Sequence, residues 1–300
     1  MEPQIETGYP PKAPWRVGDI EIVPCSEHIG AEVRGVDLDA LTDEQFAVLH
    51  DAWLKHLVLL FRDQRLSESG QLAFSRRFGD LDLAPKDQNG RPELPDFPEM
   101  AVISNVVENG RAIGALGSSE AVWHIDMSYN PIPPKGSALY ALEVPPSGGD
   151  TGFLSCYAAY DGLPEALKRR VEGVTIKHDA TLNSTGQQRT HLEPAHDVRT
   201  SAGAVHPAVH IHPETGRRAL YLGRRTNGYV TGLSVADSEA LLDELWAAAT
   251  RDDIAWHHQW RVGDLVLWDN RCAMHRRDAF DPGARRVMHR TQIKGTKPCN

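Results

Sequence analysis

Short apolar stretches separated by turn-forming residues dominate the chain and predict more strands than helices. Runs of strand length occur at 57–61, 101–104, 137–144, 205–211 and 264–268, most of them next to Gly, Pro, Asp or Asn. The remaining predicted strands cover 21–23, 31–36, 218–222 and 286–293. Their regular spacing after residue 100 predicts an antiparallel double-sheet arrangement.

Three segments have the features of amphipathic helices. In the first, Thr42 is placed to cap the N-terminus, and Gln45 lies three residues later, which is the spacing of a capping box. The second helix begins near Ser67 and ends at Gly79, and the third begins at Ser234. These helices are expected to pack outside the sheets.

The predicted fold class is therefore mainly β with flanking helices (α+β), around a double-stranded β-helix, or jelly-roll, core. Residues 1–16 are rich in Pro and are expected to form a loose arm, followed by a single domain over 17–300. The segments 80–100, 106–121 and 179–204 are predicted to be long, polar loops. Long loops in a compact enzyme are often lids or binding loops, so these three are expected to determine the choice of substrate.

Composition narrows the possible functions. Hydrophobic residues make up 41% and charged residues 24%, which is typical of a globular protein. The 32 basic and 41 acidic residues give a net charge of −9, which argues against sequence-independent nucleic-acid binding, since that needs a basic face. No apolar run approaches the roughly 20 residues that span a bilayer, and the N-terminus lacks the pattern of a secretory signal. The four cysteines lie far apart, which favours a reducing cytoplasm over a disulfide framework.

The strongest chemical feature is the tripeptide His124-Ile125-Asp126. Residues i and i+2 of a strand point to the same face, so this spacing directs one imidazole and one carboxylate toward a common point. His275, far downstream, is the candidate third ligand, because two histidines and one carboxylate form the facial triad of non-haem Fe(II) oxygenases. The tripeptide alone is a weak signal, since similar ligands bind zinc in hydrolases and the chain has 14 histidines.

Other residues suited to binding an acid accompany this set. Arg286 and Arg290 lie an even number of residues apart in a predicted strand, so their side chains share a face. An arginine guanidinium matches a carboxylate through two parallel hydrogen bonds. Thr151 follows a Gly-Gly-Asp turn and adds a hydroxyl donor. A metal site and a dicarboxylate anchor are therefore predicted to converge.

With these residues in place, the chain resembles the taurine dioxygenase (TauD/TfdA-like) family of Fe(II)/2-oxoglutarate-dependent dioxygenases. Within the family it is more similar to the aryloxyalkanoate dioxygenases than to taurine dioxygenase itself. The resemblance covers about residues 20–295. Its motifs, in the family's order, are WHIDMSY at 123–129, VPPSGGDT at 144–151, HPETGR at 212–217, GDLVLWDNRC at 263–272 and the segment 275–290. One departure is Ala84, which stands where taurine dioxygenase has a sulfonate-binding histidine.

The resemblance implies the roles of individual residues. Those implied to bind the iron and to be catalytic are His124, Asp126 and His275. Those implied to hold 2-oxoglutarate are Thr151, Trp268 and Arg286. The candidate substrate contacts are Arg290, which the resemblance implies, together with Lys86 and Asn105.

The implied activity is hydroxylation of a small organic acid, similar to an aryloxyalkanoate or a sulfonate. It uses Fe(II), 2-oxoglutarate and O2 and releases succinate and CO2. If the hydroxylated carbon bears an ether oxygen, the ether is cleaved. The expected partner is a small anionic molecule, with no nucleic acid and no membrane, and the family suggests a homo-oligomer.

Two alternatives stay open at this point. A zinc hydrolase would use the same His, Asp and His set, but it needs no dicarboxylate anchor and leaves Arg286 and Thr151 unexplained. A non-catalytic jelly roll that binds a small molecule would never consume 2-oxoglutarate, and the intact set of metal ligands argues against it.

Overall fold

The structure, a computed structural model, describes residues 12–85 and 92–300 and is built mainly from strands. The strands within these residues are β1 (Trp15–Val17), β2 (Ile20–Pro24), β3 (Ala31–Arg34), β4 (Val58–Phe61), β5 (Met100–Ser104), β6 (Val107–Glu108), β7 (Arg111–Ala112), β8 (Ala115–Leu116), β9 (Ala121–His124), β10 (Gly136–Glu143), β11 (Thr151–Ser155), β12 (Thr175–Asp179), β13 (Gly203–Pro207), β14 (Val209–Ile211), β15 (Arg218–Leu220), β16 (Tyr229–Val230), β17 (Ala255–His258), β18 (Leu265–Asp269), β19 (Ala273–Arg277) and β20 (Val287–Ile293). The α-helices are α1 (Asp43–His56), α2 (Glu68–Arg76), α3 (Cys156–Asp161), α4 (Glu165–Val171) and α5 (Val235–Ala249). The mainly β prediction is confirmed.

Two sheets contain most of the strands in the described ranges. The larger has nine strands in the order β1-β2-β3-β4-β18-β10-β20-β5-β8, and the smaller has four in the order β17-β11-β19-β9. Most neighbours are antiparallel, and the parallel pairs are β3 with β4 and β5 with β8. The smaller sheet carries His124, Thr151 and His275, and the larger sheet carries Trp268 and Arg290.

The larger sheet is covered on both faces, and β4 shows why its residues form an unbroken apolar run. Val58 and Leu60 pack in a core cluster that also contains residues of the smaller sheet. Leu59 and Phe61 point the other way, into a second cluster with residues of α1 and α2. Burial of both faces stabilises the sheet at roughly 25 cal/mol per Å² of apolar surface removed from water.

The predicted helix starts are confirmed. Thr42 accepts a hydrogen bond from the Gln45 N–H, and the Gln45 side chain bonds the Thr42 N–H in return, so α1 begins with a capping box. Ser67 and Ser234 cap α2 and α5 through their side-chain oxygens. Helix α2 ends at Arg76, before the predicted Gly79, and hydrogen-bonded turns fill the difference.

Several boundaries differ from the sequence-based expectations. The segment 205–211 forms two strands, β13 and β14, because the Ala208 N–H bonds the Val174 carbonyl outside either strand. The predicted loop 106–121 contains the hairpin β6–β7, whose tip residues Asn109 and Gly110 both have positive φ, at 51° and 76°. Strand β12 ends only at Asp179, where a loop was predicted to begin.

Two further observations bear on the cell-biological expectations. Cys25, Cys156, Cys272 and Cys299 are all free thiols. No helix in the described part of the chain combines the length and the apolar character that a bilayer crossing requires.

Candidate active site

The three predicted metal ligands meet where β9 pairs with β19. His124, the last residue of β9, lies directly across from His275, and their ring centroids are 4.2 Å apart. Asp126 Oδ1 lies 3.6 Å from His124 Nε2 and 3.8 Å from His275 Nε2. These separations are too long for hydrogen bonds, but an ion placed between the atoms would lie about 2 Å from each, a usual metal–ligand distance. The donor set therefore fits a metal ion bound by two histidines and one carboxylate.

The sequence suggested that strand alternation positions Asp126, but the structure differs. β9 ends at His124, and Asp126 lies in the turn beyond it, before Met127 with a φ of 49°. The buried Asn270 side chain holds this turn. Its Oδ1 accepts from the Asp126 N–H at 2.8 Å, and its Nδ2 donates to the Asp126 carbonyl at 2.9 Å. An amide side chain, and not strand geometry, directs the carboxylate.

Protonation states in the site suit metal binding. His124 Nδ1 lies 2.7 Å from the Val122 carbonyl, so Nδ1–H donates there and the Nε2 lone pair remains for an ion. Burial, reinforced by the neighbouring His124, lowers the pKa of His275 to about 3, which keeps this imidazole neutral. Burial raises the pKa of Asp126, but the charge of Arg290, together with the adjacent imidazoles of His275 and His124, outweighs it and holds that pKa well below its usual value.

Three side chains fix the Asp126 carboxylate. Ser137 Oγ donates to Oδ2 at 3.1 Å, and Gln292 Nε2 donates to the same oxygen at 3.3 Å. Arg290 Nη1 lies 3.4 Å from both oxygens. Groups that orient a ligand in this way typically contribute to metal affinity.

A cavity of about 320 Å³ opens beside the ligands. The predicted site residues that line it are His124, Asp126, Thr151, Trp268, His275, Arg286 and Arg290. Lys86 lies outside the described residues. Asn105 does not occur among the described lining residues: its Nδ2 donates to the Ala284 carbonyl at 2.8 Å, and its Oδ1 accepts from the Arg286 N–H at 3.0 Å. Asn105 therefore supports the chain at Arg286, and its predicted contact to a substrate stays a prediction.

One end of the cavity is suited to an acid. Arg286 is 2% exposed, and its Nε has no hydrogen-bond partner among the described residues. Burial, followed by the charge of Arg277, lowers the pKa of Arg286 to about 9, so the group is cationic at neutral pH. Thr151 Oγ1 accepts a hydrogen bond from Trp260 Nε1 at 2.9 Å, which leaves the hydroxyl hydrogen free to donate to a ligand.

Sequence reasoning missed Asn270, Ser137, Trp260 and Arg277. Asn270 belongs to a quoted motif but received no role, because nothing in a sequence shows which turn an amide holds. Arg277 had a usable signal, since it lies two residues after His275 in the same strand and so shares its face.

A second buried set of potential metal ligands comprises His212, Asp269 and Cys272. His212 Nε2 lies 3.0 Å from Asp269 Oδ2, while His212 Nδ1 accepts from the Thr215 N–H at 3.2 Å. Arg271 donates to both Asp269 oxygens, at 2.8 and 2.7 Å. Because the nitrogens and oxygens are already engaged with protein groups, this set is structural.

Comparisons with known proteins cover the whole site. A family model described as "Taurine catabolism dioxygenase TauD, TfdA family" matches residues 21–292. An (S)-phenoxypropionate/alpha-ketoglutarate-dioxygenase of Sphingobium herbicidovorans is 37% identical over 290 residues, 92% of this chain and 95% of that protein. An alpha-ketoglutarate-dependent 2,4-dichlorophenoxyacetate dioxygenase of Cupriavidus pinatubonensis is 36% identical over 296 residues, 93% of this chain and 95% of that protein.

A solved structure shares the fold. The crystal structure of a putative alpha-ketoglutarate-dependent taurine dioxygenase from Burkholderia xenovorans superposes with a TM-score of 0.77 at 32% sequence identity. The match covers 94% of this chain and 91% of the other. The similarity thus extends well beyond the metal ligands.

Proposed function

Because this chain belongs to the TauD/TfdA family and is an α-ketoglutarate-dependent dioxygenase, an oxidoreductase, we propose that it binds Fe(II) through His124, Asp126 and His275. The observation that carries this proposal is the convergence of the three donor atoms, with two imidazoles available at Nε2 and one ionised carboxylate. The two sheets that share a core cluster are assigned to a jelly-roll (double-stranded β-helix) core, and 17–300 to one domain.

When bound, the iron supplies the activation of O2, which is coupled to the oxidative decarboxylation of 2-oxoglutarate to succinate and CO2 and places one oxygen atom in the substrate. The chain supplies the positions and charges around that chemistry. Ser137, Gln292 and Arg290 hold Asp126 in one orientation, and the charge of Arg290 favours its ionised form. The carbonyl of Val122 fixes the tautomer of His124.

Arg286 and Thr151 hold the distal carboxylate of 2-oxoglutarate in this proposal. The Arg286 guanidinium offers a planar pair of donors to the carboxylate, and the Thr151 hydroxyl adds a third. Trp260 Nε1 donates a hydrogen bond to Thr151 Oγ1, so the hydroxyl hydrogen of Thr151 points toward the ligand. Trp268, whose ring centroid is 4.8 Å from that of His275, lines the same cavity and would exclude water beside the metal ligands.

The substrate is a small organic acid with an apolar body, most similar to an aryloxyalkanoate. Much of the remaining cavity wall is apolar, including Val102, Ile103 and Leu116. Arg290 is the candidate partner of the acidic group, through the part of its guanidinium that does not face Asp126. The 37% and 36% identical relatives are named for phenoxypropionate and 2,4-dichlorophenoxyacetate. A sulfonate fits less well, because Ala84 offers no donor to it.

Hydroxylation of an aryloxyalkanoate at the carbon that bears the ether oxygen gives a hemiacetal. This product collapses without further oxidation to a phenol and an oxo acid. Ether cleavage is therefore expected when the substrate has an oxygen at the attacked carbon, and simple hydroxylation when it does not.

A succinate-release screen tests the proposal. The purified protein is incubated with Fe(II), ascorbate, air and 2-oxoglutarate, together with a panel of aryloxyalkanoates and alkyl sulfonates. We expect an aryloxyalkanoate to stimulate succinate release about tenfold or more over the uncoupled rate, with phenol formed in step. The matched pair of variants is Arg286→Gln, which should lose this turnover, and Arg285→Gln, which should keep it, since Arg285 is half exposed and pairs with Glu143 at 2.6 Å.

The same screen separates the alternatives. A zinc hydrolase would act without O2 and would not consume 2-oxoglutarate, and a non-catalytic binder would release no succinate under any condition. An absorbance band that appears when Fe(II) and 2-oxoglutarate are added together without air would exclude the zinc hydrolase, and succinate release in air would exclude the non-catalytic binder. The comparisons offer no support to either alternative. A homo-oligomeric state, a cytoplasmic location and a substrate contact by Lys86 stay predictions.

A further inference from the structure

Arg277 lies inside the cavity beside the proposed 2-oxoglutarate anchor. In the register of β11 with β19, Thr151 pairs directly with Arg277, just as Phe153 pairs with His275. Directly paired residues project to the same face of a sheet, with Cβ atoms about 5 Å apart. Arg277 is 6% exposed and lines the cavity together with Thr151 and Arg286.

The charges of Arg277 and Arg286 are not compensated within the described chain. Neither forms an ion pair with a described carboxylate, and the Nε of each lacks a hydrogen-bond partner there. Both guanidinium carbons lie close to the same ring, 5.6 and 6.0 Å from the centroid of Phe280. Burying two cations near one another is unfavourable unless an anion joins them, so this end of the cavity is complete only with an acidic ligand.

Resting on the function proposed above, we propose that Arg277 is a second cationic anchor for the distal carboxylate of 2-oxoglutarate. We also propose that Arg277 connects this carboxylate to the loop that contains Leu116 and Ser119. The carboxylate is held from one side by Arg286 and Thr151. Arg277 approaches from the neighbouring strand. The distal carboxylate thus places one negative charge between the two guanidinium groups, which a 2-oxo acid with a single carboxylate does not.

The tie to the loop rests on backbone contacts. Arg277 Nη2 donates to the Leu116 carbonyl at 3.0 Å and also to the Ser119 carbonyl. Leu116 lines the cavity and has a φ of 74°, a left-handed conformation that a β-carbon disfavours and that surrounding contacts must maintain. The Phe280 N–H adds a hydrogen bond to the Ser118 carbonyl at 3.2 Å. Arg277 therefore joins the loop to the strand that carries His275.

Binding of two oxo acids to the Mn(II)-loaded protein, measured by calorimetry without air, tests the anchor. We expect Arg277→Gln to raise the Kd of 2-oxoglutarate about tenfold or more, the size of one lost charge-assisted hydrogen bond. The Kd of 2-oxopentanoate, which chelates the metal but has no distal carboxylate, should stay within about twofold. Arg277→Lys keeps the charge and should lose less affinity than the Gln variant.

Arg276→Gln is the matched control. Arg276 is the adjacent residue, points to the opposite face, and pairs with Asp278 at 3.0 Å, so its removal should change neither Kd. An Arg277→Gln protein that binds 2-oxoglutarate as tightly as the wild type, or that loses affinity for both oxo acids equally, would overturn the inference. Wild-type protein that binds neither oxo acid would instead overturn the proposed function, and the inference with it.

Limited trypsin digestion tests the tie to the loop. Arg111 is the one tryptic site between residues 107 and 121. We expect 2-oxoglutarate to slow cleavage after Arg111 in the wild type. In Arg277→Gln this protection should be lost at 2-oxoglutarate concentrations that saturate the variant, because the two carbonyl contacts are gone. Full protection of the saturated variant would show that Arg277 does not couple the loop to the ligand.

Discussion

Two buried clusters of this protein contain the same kinds of side chain and differ in their spacing. In the first, Asp269 Oδ2 lies 3.0 Å from His212 Nε2 and 2.7 Å from Arg271 Nη2, so every partner is in hydrogen-bond contact. In the second, Asp126 lies 3.6 and 3.8 Å from the Nε2 atoms of two histidines and 3.4 Å from Arg290. Both oxygens of Asp269 accept short hydrogen bonds from protein donors. Asp126 is held mainly through Oδ2, by Ser137 and Gln292, and directs Oδ1 toward a gap that fits an ion.

Electrostatics do not distinguish the two clusters. Burial raises the pKa of both aspartates, and in both the neighbouring arginine and histidine outweigh it and hold the pKa below its usual value. Composition does not distinguish them clearly either, since each offers three potential ligands, including a histidine and an aspartate, within a short distance. The difference lies in hydrogen-bond saturation. A buried carboxylate stabilises the fold where its partners lie within hydrogen-bond distance. It can bind a ligand where they lie beyond that distance.

The largest expected effect is the loss of activity in Asp126→Ala. Without the carboxylate the metal loses one of its three protein ligands, so we expect substrate-dependent succinate release to fall about a thousandfold or more. The free energy of unfolding of the metal-free protein should change much less than in the Asp269 variant, because Arg290 borders a cavity that water can enter. Activity is measured by succinate release and stability by urea unfolding. Retained turnover would contradict the assignment of Asp126.

Asp269→Ala should show the opposite pattern. The change leaves Arg271 buried without its main counter-charge, which typically costs about 3–5 kcal/mol of the free energy of unfolding. Urea unfolding measures this loss. The control is Asp253→Ala, whose ion pair with Arg251 is exposed and should contribute less than about 1 kcal/mol. Equal losses in the two variants would show that saturation of Asp269 does not stabilise the fold.

Asn270→Ala affects the link between the two clusters. Asn270 follows Asp269 in the chain and bonds the backbone of Asp126 on both sides. We expect the affinity for Mn(II) to fall about 10–100-fold, as is typical for groups that orient a ligand. Turnover should recover in large part at saturating Fe(II), because the ligands themselves remain. Unchanged metal affinity in calorimetry would mean that the turn at Asp126 holds its position without Asn270.

The same contrast explains which parts of the molecule sequence reasoning reaches. Strand β4 was predicted because its sequence is an unbroken apolar run. In the structure all four of its residues are buried. The strands β12 and β19, with the sequences TIKHD and AMHRR, were not predicted, because polar residues facing the interior interrupt the apolar pattern. Strand β19, which carries His275 and Arg277, thus escapes a search for apolar periodicity, whereas β18 and β20, which carry Trp268 and Arg290, were predicted.

Within the site, ligand types and their spacing were predictable, and the supports were not. His124, Asp126 and His275 follow from metal-ligand chemistry and from the resemblance to a family. Asn270 and Ser137 act on Asp126 from distant parts of the chain, and their roles depend on hydrogen bonds that only the folded structure brings together. The contacts of Asn105 were unpredictable for the same reason, since its amide bonds the backbone near Arg286, and its role as a substrate contact stays a prediction.

The smallest expected effect is that of Ser137→Ala, and its matched control is Ser75→Ala. Both hydroxyls are buried, and each makes one short hydrogen bond, to Asp126 Oδ2 at 3.1 Å and to Thr291 Oγ1 at 2.7 Å. Each variant should lose about 1 kcal/mol of the free energy of unfolding. Only Ser137→Ala should also weaken Mn(II) binding, by a few-fold, because its partner is a metal ligand. Equal Mn(II) affinities in the two variants would mean that Ser137 contributes to Asp126 only what any buried hydroxyl contributes to the fold.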